Sequence, residues 1–251
     1  MNSPTAIAGS ANRSSGTRGR RQPSRLRVQV RGGHDVRRVA VRERNLARLH
    51  ARIRACTKCV DAGYLECATP IVAGSATDRI AIVGQAPGAV EVVMGKPFAG
   101  RSGAELRRWL GEAGIDDAHL PYRTAVTKCF PGKAASGAGD RRPSPAEIAL
   151  CAPWLEQELA LVRPRVVLLL GTLAIERLWG KGPLDAVVGR SRRAADGALL
   201  IPLPHPSGAS RWLNDGDHRD LLHRGLRLLK RALKPSGLDM AGDAGRMHSR
   251  R

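Results

Sequence analysis

The chain has 251 residues, 42% of them hydrophobic, with 42 Lys and Arg against 22 Asp and Glu, for a net charge of +20. That length fills one α/β domain plus tails, and that charge favours a polyanionic partner, most simply nucleic acid. No apolar run reaches the roughly 18 residues of a membrane span, and the polar, Arg-rich N-terminus lacks the apolar segment of a secretory signal.

Residues 1–40 are rich in Arg, Ser and Gly and read as a disordered basic tail. They carry +8, leaving +12 for the rest, so the basic character is not confined to the tail. A basic helix over 41–55 leads into Cys56, and 56–78 reads as irregular chain ordered by a metal centre. Arg79 to Gly84 is a short apolar run ending in Gly, the pattern of a buried parallel strand, with a turn from Gly84 to Gly88 behind it. Helical spacing covers 102–113, with Ser102 as N-cap. Thr124 to Cys129 reads as a second strand and 130–143 as a loop. Ser144, Pro145 and Glu147 then supply the N-cap, N1 and N3 of a helix running to Val162. Pro164 to Gly171 is the clearest buried strand, followed by a helix from Thr172 to Trp179. Ala198 to Leu203 is a fourth strand leading to His205. A basic helix spans Asp217 to Leu233, and 235–251 reads as disordered. This alternation predicts an α/β fold over 41–234, a three-layer α/β/α sandwich around a mainly parallel four-stranded sheet.

Four cysteines carry the strongest chemical signal. Cys56-Thr57-Lys58-Cys59 brings two thiolates to one centre through a short turn, while Cys129 at a strand end and Cys151 in a helix converge only through the fold. Four thiolates can hold a zinc ion or an iron–sulfur cluster, and the residues alone leave both open beside the plainer reading of packed structural thiols. Absent an export signal, the thiols stay reduced and available as ligands. Cys67 has no partner position.

Gly84-Gln85-Ala86-Pro87-Gly88 sits at the carboxyl end of a parallel strand, where α/β sheets place ligands, and its glycines let the backbone approach a substrate. Phe98, one of two Phe in the chain, lies in the Gly-flanked stretch from Gly95 to Gly103, where a ring can stack on a base rather than plug the core. His205, stiffened between Pro204 and Pro206, follows a strand and can donate to an oxyanion developing on a leaving base. Arg211, Trp212 or Leu213 can fill the gap left by an extruded base.

In combination these segments resemble the uracil-DNA glycosylase superfamily, in particular its iron–sulfur branch, families 4 and 5. The similarity covers about residues 45–230. The matching segments are Cys56 to Cys59, Gly84 to Gly88, Lys96 to Gly100, Thr127 to Cys129, Pro143 to Ile148 with Cys151, and His205 to Ser207, in that order. The resemblance implies a 4Fe-4S cluster on Cys56, Cys59, Cys129 and Cys151, rather than zinc. It implies a DNA-repair glycosylase that flips uracil or another deaminated base out of DNA and hydrolyses the N-glycosidic bond. His205 would stabilise the departing uracil at O2 and Phe98 would stack on the base. Gly84, Gln85, Ala86, Pro87 and Gly88 would position the water and contact a phosphate, and Ser207 and Arg211 would press on the DNA. A monomer acting in the cytoplasm, at the nucleoid in a bacterium, is expected.

Three departures stand out. Family 4 has Glu where this chain has Gln85, which can orient a water but cannot take its proton. It has an Asn reading the base edge where this chain has Ala125, which leans toward the broader base range of family 5. The loop from Pro131 to Arg142 is longer than usual but holds no His, so covalent trapping of the abasic sugar is not expected. Two alternatives follow from the same residues: a lesion-DNA binding protein without turnover, and a cluster-containing hydrolase acting on RNA or nucleotides.

Overall fold

A computed structural model describes residues 32–116, 120–137, 139–207 and 211–234. The readings of 1–31 and 235–251 lie outside the described residues. Five strands form one sheet in the order β2-β1-β3-β5-β4. Of these, β1 (Ile80–Gly84), β2 (Tyr122–Ala125), β3 (Val166–Leu170) and β5 (Leu199–Leu203) are parallel, while β4 (Arg192–Arg193) pairs antiparallel with β5. The expected sheet of four strands therefore gains an edge strand. Two arginines carry no apolar signal, which hid it; Arg192 stacks over the Trp179 ring at 4.4 Å, and a short charged edge resists further pairing.

The unbroken apolar runs follow from burial on both sheet faces. Val166, Leu168 and Leu170 of β3 join Ile82, Ile201 and Leu203 against Leu106, Trp109 and Leu110 of α4 (Arg101–Ala113) and Leu222, Leu226 and Leu229 of α8 (Gly216–Leu233). The alternate residues Val167 and Leu169 join Val83 and Leu200 against Leu155 of α5 (Pro145–Val162) and Leu173, Ala174 and Ile175 of α6 (Gly171–Leu178). A third cluster packs Leu46, Leu49 and Ile53 of α1 (Gly32–Arg54) against Tyr122, Trp154 and Val162. None of the helices among the described residues is long and apolar enough to cross a membrane.

Several boundaries differ from the sequence reading. Helix α1 starts at Gly32 rather than residue 41, so nine residues of the expected tail are helical. Val36 and Val41 are exposed there, so no buried face marks the extension in the sequence. Strand β2 begins two residues early and ends at Ala125. Beyond it, Val126 and Thr127 donate their N–H groups to the carbonyls of Gly84 and Gln85 at 2.9 and 3.1 Å, so this segment props the turn after β1. Helix α4 is capped by Gly100, not Ser102. The Glu91 side chain takes over the capping work, accepting from Gly100 N–H at 3.2 Å and Gly88 N–H at 3.1 Å. The capping box of α5 forms as expected, with Ser144 Oγ accepting from Glu147 N–H and Glu147 Oε2 accepting from Ser144 N–H at 2.8 Å. Short helices α2 (Lys58–Asp61), α3 (Ala89–Met94) and α7 (Leu184–Val187), and a 3₁₀ turn at Arg211–Asn214, fall in segments too short for periodicity to reveal.

Candidate active site and cysteine cavity

The carboxyl ends of β1, β2 and β5 meet in one cleft. Its wall is built from Gly84, Gln85, Ala86, Pro87 and Gly88 together with Phe98, Ala125 and His205. A wider cavity of about 390 Å³ adjoins it, bringing Ser207 to Gln85, Pro87 and His205. Eight of the sequence-selected substrate and catalytic residues thus line the first cleft and Ser207 lines its extension. Arg211 does not line either cavity; it sits exposed on the 3₁₀ turn. Among its neighbours, Trp212 stacks on His218 with ring centroids 4.1 Å apart and Leu213 packs on the core. Of these three, Arg211 is the one whose side chain is left on the surface.

His205 is positioned by two local devices. Its Nδ1 accepts the Ser207 N–H at 3.2 Å, which places the ring proton on Nε2 in the neutral form. Burial holds its pKa below 6.5, against the opposing pull of Asp140 and Glu91, so at neutral pH the ring is an uncharged donor. The second device is Gly171, at φ +78°, where a Cβ would stand 3.2 Å from His205 Cβ and 3.3 Å from Cδ2. A Gly171→Ala change should cost roughly 1–3 kcal/mol in backbone strain and push the ring from its place. Thermal unfolding checks the first effect, and the His205 ring resonances in an NMR spectrum check the second.

Phe98 lies at φ +55°, and its ring covers Gly84, where a Cβ would meet Phe98 Cζ at 3.1 Å. Gly84 thereby leaves room for the ring in the wall of the cleft, where it is available to stack on a planar base.

The loop that the sequence suggested only as a Gly-rich connection supplies a residue it missed. Arg141 N–H bonds Gly132 O at 3.0 Å and Ala134 N–H bonds Gly139 O at 3.1 Å, folding the loop back on itself. This brings Asp140 into both cavities. One carboxylate oxygen accepts from Lys133 Nζ at 2.7 Å. Gln85 Nε2 donates to Arg141 O over a long 3.5 Å, and Arg141 forks onto Glu147 with two bonds of 2.7 Å. That ion pair holds the Glu147 carboxyl below its ordinary range. The signal available in sequence was one acid in a loop otherwise basic or small.

Cys56, Cys59, Cys129 and Cys151 line a single cavity, and Cys67 is exposed and does not line it. Burial, followed by the proximity of the other thiols, pushes Cys129 up to about 12 when nothing is bound. Among the described residues no three His, Cys, Asp or Glu side chains gather tightly enough to hold one ion. Two buried donors that line the same cavity, Thr127 Oγ1 and Trp154 Nε1, have no hydrogen-bond partner among the described residues, and sulfur acceptors in the cavity would supply one.

A buried polar network joins the two sites. His50 Nε2 meets Tyr122 OH at 2.8 Å, and Tyr122 OH donates to Glu158 Oε1 at 2.9 Å. Glu158 Oε2 pairs with Lys128 Nζ at 2.7 Å and accepts from Thr124 Oγ1 at 2.9 Å. Lys128 Nζ also donates to Ala125 O at 2.5 Å, while its backbone N–H donates to Cys151 Sγ at 3.3 Å. The Lys128 side chain points inward and is 2% exposed.

Residues 72–227 match the family model described as the uracil DNA glycosylase superfamily. A type-4 uracil-DNA glycosylase of Pyrobaculum aerophilum is 33% identical over 134 residues, covering 53% of this chain and 64% of that protein. A type-4 uracil-DNA glycosylase of Thermotoga maritima is 31% identical, covering 66% of this chain and 83% of that protein. A type-5 uracil-DNA glycosylase of Thermus thermophilus is 39% identical over 42% of this chain and 51% of its own length.

Proposed function

The chain belongs to the uracil DNA glycosylase superfamily, and from that premise we propose that it hydrolyses the N-glycosidic bond of uracil in DNA, leaving an abasic site. The observation that carries the reading is the cleft itself. A neutral His205 with its Nε2–H free for an acceptor faces the turn from Gly84 to Gly88 across a space floored by Phe98. A uracil turned out of the helix and stacked on Phe98 would present a carbonyl oxygen to His205, which stabilises the charge that develops as the base leaves. Gln85 and the backbone of the turn hold a water on the sugar side. Ser207 lines the outer cavity, where the DNA backbone would pass. Ala125 offers no side-chain amide to read the base edge, so a base range beyond uracil, hypoxanthine included, belongs to the same proposal.

Cys56, Cys59, Cys129 and Cys151 would hold a 4Fe-4S cluster. With one thiolate per iron no coordination position is left open, so the group would serve as a cross-link among α2, the end of β2 and α5. Cys129→Ser should accordingly lower the melting temperature and weaken DNA binding before it alters the rate of the chemical step. Full thermal stability with an unchanged visible absorption in that variant would remove Cys129 from the ligand set. A cluster held by reduced thiols would fit a reaction in the cytoplasm.

The reading is tested by base release from oligonucleotides containing one uracil, single-stranded or opposite G or A, with hypoxanthine substrates alongside. Alkali-labile cleavage at the uracil is the expected result. Tight DNA binding with no release from any substrate would make the protein a lesion binder instead.

A further inference from the structure

Gln85 cannot take a proton from water, yet hydrolysis of a glycosidic bond must dispose of one. Among the described residues two carboxylates line the cleft, Glu91 and Asp140. Both oxygens of Glu91 accept backbone N–H groups, from Gly88 and Gly100, so that side chain is committed to holding the turn against α4. Asp140 is placed differently. It lines the cleft and the outer cavity together with Gln85 and His205. Its Oδ2 lies against the turn, 3.0 Å from where a Cβ on Gly88 would stand. Its one ion pair, with Lys133, is between partly exposed side chains and holds the carboxylate only weakly.

We propose that Asp140 is the catalytic carboxylate of this site, receiving the proton of the attacking water and facing the positive charge of the sugar in the transition state. This rests on the uracil-release reading above. The C1′–N1 bond breaks with its electron pair passing to uracil, whose O2 is bonded by His205. The water oxygen forms the new bond to C1′, and its proton passes to Asp140 and then to solvent, from which the uracil anion is protonated. The Gln85 amide has a distinct part. By donating to Arg141 O it holds down the residue next to Asp140, and its own oxygen remains to orient the water. The folded loop is thus the means by which a carboxylate reaches a cleft whose turn carries none.

The test is single-turnover uracil release, with protein in excess over a single-uracil oligonucleotide, for Asp140→Asn and Lys133→Ala, each beside a DNA dissociation constant. Asp140→Asn is expected to slow release about 100-fold. Its DNA binding should be unchanged or tighter, because a negative charge facing phosphates is removed. Lys133→Ala should stay within about fivefold of the unsubstituted protein, the most an exposed ion pair contributes. Equal losses in the two variants would mean that Asp140 only closes the loop, and would overturn the assignment. So would full activity in Asp140→Asn, or a loss that tracks weakened binding. No release by the unsubstituted protein would overturn the uracil-release reading first and this assignment with it.

Discussion

Replacing His205 by Ala is expected to slow uracil release about 100- to 1,000-fold, the loss typical of deleting one donor aimed at a developing anion. DNA affinity should change little, because the charge that His205 meets exists only as the bond breaks. The argument rests on the tautomer: Nδ1 is occupied by the Ser207 N–H, so the donor is Nε2–H. Depression of the ring's pKa below 6.5 by burial fixes the sign of the pH dependence. The folded state binds this proton less readily than the unfolded chain, so the neutral ring's contribution to stability is complete above pH 6.5 and is lost as pH falls through the lower folded value. Protonation also takes the Nδ1 lone pair from Ser207, so acid should loosen the loop in the native protein but not in His205→Ala. Single-turnover rates and thermal unfolding across pH for the two proteins check both points. Rates within a few-fold of each other would remove His205 from the chemistry.

The residues most legible in the sequence are those whose signal is local. The runs that became β1, β3 and β5 announce burial on two faces, and Ser144 with Glu147 announces a helix start that needs no tertiary partner. The four cysteines and the cleft residues were legible through their order along the chain, and the fold brings the four thiols to one cavity. What stayed hidden is what depends on distant partners. Ser102 looked like a cap because nothing local shows that Glu91, across the loop, bonds Gly100. Asp140 looked like part of a solvated connection because its placement needs the Gln85 bond and the Arg141–Glu147 fork. The burial of Lys128 had no local sign, because a lysine is buried only where a carboxylate awaits it, and Glu158 lies 30 residues on in a different element.

That pair leads to the largest expected effect on stability. Glu158→Ala should destabilise the fold by about 3–5 kcal/mol, because the Lys128 ammonium is left without its countercharge in a site that excludes water. For a chain of this size the melting temperature should fall by about 6–20 °C. Glu158 also accepts from Tyr122 and Thr124, so the same change leaves two buried hydroxyls short of an acceptor. The single loss measures the cost of stranding a charge rather than the worth of the pair, and the double variant Lys128→Met with Glu158→Leu separates the two. Apolar side chains of similar length should recover the part of the loss that comes from the stranded charge, while Tyr122 and Thr124 stay short of an acceptor. They remove the ammonium from Ala125 O, where it ties the network to the cleft, so the double variant should regain part of its melting temperature while releasing uracil more slowly than the native protein. Recovery of stability and rate together would make the buried pair a feature of packing alone. Recovery of stability without rate would show that the charge is kept to fix the end of β2, the element on which the cleft and the cysteine cavity both depend.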